Sequence, residues 1–448
     1  MTTPVETPCP TTPNRRGFLT LGGAAASMML VPDGQAQAAQ SSANLGPILG
    51  DASPHSMMVW MRVTAAGVYR LEVFAADGQS IGHWDKRASA QNDYCLIWNA
   101  TGLHPASRYR YRVTHKGQDI AAAPEQTFQT PPATDQPAKV RLAISSCARE
   151  DAGSRAVWNR MAEEQADAVV LLGDTPYIDS TRLGDQMRRH DEFAAVEEYQ
   201  KLLQSRPCWW SWDDHDFAGN DSSGLSLGKE NSLYAFKRYR PQRRYGDGKN
   251  GIYTSFRYGP IELFLLDTRW FAMTQASFAD PVKPGLLGDA QWAWLQQGLK
   301  TSTAPFKLLA SGIIWDDKEN RESDDWGTYR HELDAIKRLI GEHKINGVIL
   351  VGGDIHASRV LRYPTKSVVG YELVQFIASP IHASVIPSLN IYNPYLVRSA
   401  VEPNIFLRID VNTTSPSPSL EAALINARGE VVYTYSITAQ ELSPLWQS

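Results

Sequence analysis

The sequence predicts a layered α/β domain preceded by a small antiparallel β-sandwich. Two patterns carry this prediction. Between Gly46 and Thr130 short runs alternate apolar and polar residues with period two, as strands buried on one face do. After Lys139 apolar strand-like runs alternate with helical stretches, the pattern of a layered α/β fold. A third observation is chemical: several of the later strand-like runs end in Cys, Asp, Tyr or His, where α/β folds place their ligands.

At 448 residues the chain is long for one core, and the expected division is 1–38, 39–134 and 135–448. Hydrophobic residues make up 43% and charged ones 21%, as in an ordinary globular protein, and a net charge of -4 speaks against a general nucleic-acid binder. Asn14-Arg15-Arg16-Gly17-Phe18-Leu19, the apolar run to Val31 and Ala36-Gln37-Ala38 follow one another as twin-arginine motif, apolar run and cleavage site. They predict export through the twin-arginine machinery to the periplasm or the medium. The apolar run is short for a bilayer and no later stretch reaches about 20 apolar residues, so no transmembrane segment is expected.

In the sandwich, strands are expected over 56–63, 69–74, 94–98, 109–114 and 127–130, with Trp60, Trp98 and Tyr109 in its core. The stretch 103–112 looks like the tyrosine-bearing stretch of fibronectin type III-like domains. Pro131-Pro132 through Pro137 reads as a linker. In the α/β domain, strands are expected over 140–145, 168–172, 209–212, 261–267, 306–314 and 347–351, and helices over 152–165, 192–204, 232–240, 290–299 and 329–342. Strands over 405–410, 420–425 and 431–437 close the chain.

The pivotal strand runs from Val169 into Gly173-Asp174-Thr175-Pro176-Tyr177. Gly173 permits a turn at its carboxyl end, and Pro176 stiffens the exit, so one carboxylate and one phenol face one pocket. Three other strand ends carry similar groups: Cys147 after Ile144-Ser145-Ser146, Asp214 and His215 in Trp212-Asp213-Asp214-His215-Asp216, and Asp354 and His356 in Gly353-Asp354-Ile355-His356. Converging carboxylates repel one another, and a bound cation relieves the repulsion. Cys147, Tyr177 and His356 suit a transition metal, whereas Asp214 and Asp354 suit a harder divalent ion, with Asp174 placed to bridge the two. Two such ions can clamp a phosphoryl group and activate water for in-line attack, leaving His215 to give a proton to the departing alcohol.

These residues, with Asn220-Asp221, Leu266-Asp267-Thr268-Arg269, Leu287-Gly288, Gln291-Trp292, Trp294-Leu295 and Ala357-Ser358, resemble the alkaline phosphatase D (PhoD-like) phosphoesterases. The resemblance runs from about residue 46 to near the carboxyl terminus. It implies an αββα metallophosphoesterase sandwich, two stacked sheets flanked by helices, behind the β-sandwich. It also implies a dinuclear centre: iron (Fe3+) held by Cys147, Asp174, Tyr177 and His356, and calcium or another divalent cation held by Asp174, Asp214 and Asp354. The wider superfamily often adds a histidine on the strand around 308–312, where this chain has Ser311.

Other residues have plainer readings. Trp209, Trp210 and Trp212 are expected to pack, and Cys95 and Cys208 to be free buried thiols. Arg269 either clamps a phosphate oxygen as a catalytic residue or neutralises Asp267. His382 is read as a loop histidine rather than a ligand. The segment after Ser384, with Asn390 to Tyr395, is a candidate lid. The expected function is therefore an exported, metal-dependent hydrolase of phosphate esters, with His215 and Asp174 at the chemistry. A phosphodiesterase or phospholipase with the same centre is the alternative, and a non-catalytic, calcium-stabilised surface-binding protein is the reading from another class.

Overall fold

The computed structural model of the protein describes residues 43–120, 126–315 and 324–444. The signal-like stretch 1–38, with Cys9, Arg15 and Arg16, lies outside them. Two antiparallel sheets come first. Leu45–Ser53, Ser56–Arg62 and Cys95–Thr101 form one; Ser80–Ala88, Gly67–Ala75 and Arg108–His115 form the other, with Gln118–Asp119 and Gln126–Gln129 both pairing with Arg108–His115. In the second sheet alternate residues turn inward, Tyr69, Leu71 and Val73 on one strand and Tyr109, Tyr111 and Val113 on its neighbour, which is why the period-two pattern is clean there. Tyr109 Oη accepts the His104 N–H at 2.7 Å, the tyrosine-corner bond the sequence suggests.

In the first sheet every residue of Ser56–Arg62 is buried, because its other face lies on the α/β domain. Trp60 Nε1 donates to Arg238 O at 2.7 Å across that contact, and Asp51 receives Trp209 Nε1 at 3.2 Å and Arg243 Nη2 at 2.5 Å. The expected boundary near residue 134 falls in the connection between Gln126–Gln129 and Lys139–Ser145, but one hydrophobic core runs through both parts.

The α/β domain is built on two mixed sheets. One has the order Cys208–Ser211, Ala168–Leu172, Lys139–Ser145, Ile405–Asn412, Ser419–Asn426, Val431–Thr438; its first three strands are parallel. The other has the order Thr254–Tyr258, Ile261–Leu265, Phe306–Ala310, Val348–Gly352, Leu373–Ile377, Ser358–Tyr363, Leu396–Ala400, with four parallel strands at its centre. Ala168, Val170 and Leu172 face the core between the sheets, while Val169 and Leu171 face a second core with Trp158, Met161 and Phe193 of the covering helices. Burial on both faces explains the unbroken apolar run of that strand. Register then fixes the site. Leu171 lies beside Ser145 and Leu172 beside Ser211, so the three parallel strands end side by side.

The structure departs from expectation in places. The helix predicted over 192–204 is two helices, Leu183–Ala194 and Glu197–Leu203, broken where Val196 takes extended backbone at φ -64° and ψ 117°. The first of these buries Gln186, Met187, His190, Phe193 and Ala194, a stripe too polar to stand out in hydrophobic periodicity. The candidate lid contributes the edge strand Leu396–Ala400, paired antiparallel with Ser358–Tyr363. Cys95 and Cys208 are free and buried. Among the described residues no helix is long and apolar enough to cross a membrane.

Candidate metal centre

The carboxyl ends of the parallel strands of both sheets meet at one place. The close approach needs glycine: a Cβ on Gly173 would fall 2.5 Å from Asp213 N, and one on Gly353 would fall 2.5 Å from Ser146 Oγ. Backbone conformation marks the same spot. Cys147, Asp174, Asp354 and His356 all sit at positive φ (59°, 53°, 66° and 49°), a region that side chains other than glycine enter rarely and that recurs where function over-determines the backbone. Cys147 N–H donates to Gly173 O at 3.2 Å and Ala148 N–H to Asp174 O at 2.9 Å, which locks the two exits together.

Two groups of donors result. Cys147, Asp174 and His356 are all buried and offer ligand atoms within 4.8 Å of one another; Asp174, Asp214 and His215 form a second such group. Asp174 belongs to both, as the sequence suggested for a bridging ligand. Cys147 Sγ lies 3.4 Å from Asp174 Oδ2 and 3.5 Å from Asp354 O. Tyr177 Oη lies 2.8 Å from His356 Nε2. A third group, Asp214, Asp221 and Asp324, extends the carboxylates outward.

The electrostatics ask for a cation. Burial drives the Asp174 carboxyl well above its usual range, and Cys147, Asp214, Asp216 and Asp354 push it further. Burial likewise lifts the Cys147 thiol to about 12 and lowers His356 to about 3. Asp174 Oδ1 and His356 Nδ1 are buried without a hydrogen-bond partner. Thiol, phenol, imidazole and carboxylates crowded into one buried pocket, with orphaned ligand atoms, fit metal ions.

His215 is tethered separately. Its Nδ1 lies 2.5 Å from Asp179 Oδ1 and must carry the hydrogen, because a carboxylate only accepts; its ring rests on Tyr177 with centroids 4.5 Å apart. Asp214 takes the backbone N–H of His215 at 2.9 Å and of Asp221 at 2.7 Å. Burial opposes its charge, but Arg269, His215 and those two N–H groups hold Asp214 below the usual carboxylate range.

The structure places Arg269 among carboxylates. Its guanidinium is buried and spent on carboxylates, with Nε 2.7 Å from Asp213 Oδ1 and Nη1 and Nη2 2.8 and 2.7 Å from the two oxygens of Asp324. It neither reaches out as a clamp nor neutralises Asp267, which instead takes Trp212 Nε1 and the backbone N–H groups of Ile252, Arg269 and Trp270. Ser311 donates to Ile313 O at 2.7 Å and accepts from Trp326 Nε1, so it is occupied away from the donors. Trp209, Trp210 and Trp212 are buried packing residues.

His382, expected as a loop histidine apart from the ligands, stands beside the donor cluster. It is buried, and its Nε2 lies 3.1 Å from Tyr177 Oη. Ser384 N–H donates to His382 Nδ1 at 2.9 Å, so the neutral ring carries its proton on Nε2 and donates it to the phenol oxygen. Its signal in the sequence is position: His382 follows the strand Leu373–Ile377, whose end joins the same cluster.

Comparison with known proteins bears on the family and the fold. Over 308 residues the chain is 25% identical to alkaline phosphatase D of Bacillus subtilis (strain 168), covering 58% of this chain; it thus spans 52% of that relative's length. A solved structure of PhoD aligns with a TM-score of 0.72 and 19% identity over 88% of this chain and 93% of its own. The purple acid phosphatase PPD1 from yellow lupin (Lupinus luteus) seeds aligns with a TM-score of 0.65 and 16% identity, over 88% of this chain and 74% of its own. Both share the α/β metallophosphoesterase sandwich behind an all-β region. Residues 142–439, the stretch that carries every strand exit described above, match the PhoD-like phosphatase family, and the chain belongs to it.

Proposed function

We propose that the protein is an exported, metal-dependent hydrolase of phosphate esters. The observation that carries the reading is Asp174, buried and shared by two groups of donors at the meeting point of two sheets. Cys147, Asp174, Tyr177 and His356 would hold a ferric ion, and Asp174, Asp214 and Asp354 calcium or another divalent cation. Bound there, the ions supply Lewis-acid stabilisation of phosphoryl charge and make water acidic enough to attack near neutral pH.

The chain's own residues supply the rest. Asp179 fixes the His215 ring with Nδ1–H toward the carboxylate, which leaves Nε2 to hold a proton for the departing alkoxide. Giving up that proton returns the ring to the tautomer that Asp179 already stabilises. Arg269 bridges Asp213 and Asp324, and so steadies the turn that presents Asp214. The ordered twin-arginine motif, apolar run and small-residue cleavage pattern in residues 1–38 support export to the periplasm or the medium.

The test is turnover of a phosphate monoester and a diester by purified protein, with elemental analysis, before and after chelation. Turnover lost with the metals and restored with them supports the reading; preference for the diester makes the protein a phosphodiesterase with the same centre. Stoichiometric metal without turnover of either ester overturns it.

A further inference from the structure

With Arg269 locked between carboxylates, any side-chain cation that meets the phosphate beside the metal ions must be a different one. The neighbouring basic residues are spent: Arg189 on Glu150, Glu192 and Tyr177 O, Arg240 on Thr175 O and Tyr199, Lys229 on Gly224 O and Trp270 O. Arg149 differs. It is exposed, and among the described residues its guanidinium makes no hydrogen bond or ion pair. Its Cζ instead lies over the Tyr177 ring, 4.4 Å from the centroid.

The backbone that carries Arg149 is fixed on both sides. Cys147 and Ala148 are bonded to the Gly173-Asp174 exit, and the Arg149 N–H donates to Ser154 Oγ at 3.2 Å, in the first turn of the helix Ala152–Glu163. The side chain therefore projects from a rigid stem beside the donor cluster, resting on the phenol that reaches His356 and His382. A cation held over a ring spends no N–H on that contact, so all five donors stay available to an anion. A planar guanidinium presents two parallel N–H groups at the spacing of phosphate oxygens. Exposed as it is, the Arg149 guanidinium leaves its N–H groups to water, which an anion at the site can displace while the contact with the Tyr177 ring is kept.

We infer that Arg149 is the substrate-binding cation of this site, taking non-bridging oxygens of the phosphoryl group with its guanidinium. The inference rests on the proposed hydrolysis of phosphate esters, and names the residue that recognises the anion.

The experiment compares the wild type with Arg149→Gln, Arg149→Lys and Arg149→Ala as metal-loaded proteins, using inorganic phosphate as the probe. Expected for Arg149→Gln is competitive inhibition by phosphate weakened roughly 10- to 100-fold, the range for a hydrogen bond to a charged group, with KM for a monoester raised in proportion and kcat changed less. Metal content stays that of the wild type, Arg149→Lys retains part of the affinity, and added guanidinium restores part of it to Arg149→Ala. Phosphate inhibition and KM within about twofold of the wild type in Arg149→Gln overturn the inference while leaving the hydrolase reading intact. Loss of metal without rescue by guanidinium also overturns it, because Arg149 then only props Tyr177. A wild type that neither turns over phosphate esters nor is inhibited by phosphate fails the hydrolase reading, and the inference falls with it.

Discussion

At the scale of single residues, the proposed chemistry rests on side chains that the fold holds in fixed positions. His215 is held by Asp179 rather than left free, with Nδ1 2.5 Å from Oδ1. His215→Ala should keep most of the metal and lose turnover by roughly 10² to 10⁴-fold, with a smaller loss for nitrophenyl esters, whose leaving groups need little proton assistance. Asp179→Asn should reproduce that leaving-group dependence in weaker form; equal losses for good and poor leaving groups would remove the proton-transfer role from the pair. Cys147 and Tyr177 bear on the proposed ferric ion. A thiolate and a phenolate on ferric iron give visible charge-transfer absorption, so purified protein should be coloured, and Cys147→Ala should lower iron content and shift the band. Because His382 donates to the Tyr177 oxygen, His382→Ala should move the same band without removing the iron. A colourless, iron-free and active protein would leave only a divalent pair.

At the scale of elements, the strand exits matter more than the strands. Gly173 combines φ +111° with contacts a Cβ could not make, 2.5 Å from both Asp213 N and Asp213 Cβ. Gly173→Ala should therefore destabilise the protein by about 2–4 kcal/mol and loosen Asp174, seen as a lower urea midpoint together with reduced metal content. An unchanged midpoint would mean that the two exits are not packed as described. The same elements explain what can be seen in the sequence. Ala168–Leu172 is legible because burial on both faces leaves an unbroken apolar run ending in Gly-Asp. Ser358–Tyr363 and Leu373–Ile377 are not, since each carries a polar residue satisfied only by the fold: Arg359 Nη2 donates to Ile391 O at 2.7 Å, and Gln375 Oε1 accepts the Trp315 N–H at 2.7 Å. Thr254–Tyr258 and Leu396–Ala400 lie at the sheet edges, where half-exposed positions blur the alternation. The candidate site shows the same limit. Cys147, Asp174, Tyr177, Asp214, Asp354 and His356 advertise themselves by chemistry at recognisable strand ends, whereas His382 sits after a strand that the pattern hides.

At the scale of the whole molecule, the donor cluster sets how stability depends on pH. Without metal, the Asp174 pKa in the folded protein lies well above its unfolded value, so between the two the folded state holds a proton that the unfolded state has released. The unfolded state binding fewer protons, stability must fall as pH rises through that window, by about 1.4 kcal/mol per pH unit for the one proton retained. Cys147, lifted to about 12, extends the fall into the alkaline range above the ordinary thiol pKa near 8.5. His356 acts oppositely but elsewhere. Its folded pKa of about 3 makes the unfolded state the greater proton binder up to roughly 6.5, so its contribution rises with pH and is complete by neutrality. Above neutral pH the acids alone govern. Metal ions bound by Asp174 and Cys147 as proposed would take the place of the retained protons and abolish this penalty, since ligands must be deprotonated to bind. The gap in Tm between metal-loaded and chelator-stripped protein should therefore be wider at pH 9.5 than at pH 6.5, measured by thermal denaturation of both forms in the same buffers. A gap that stays constant over that range would mean that Asp174 and Cys147 are already ionised in the metal-free protein, and that the shared carboxylate is not where the metal contributes its stability.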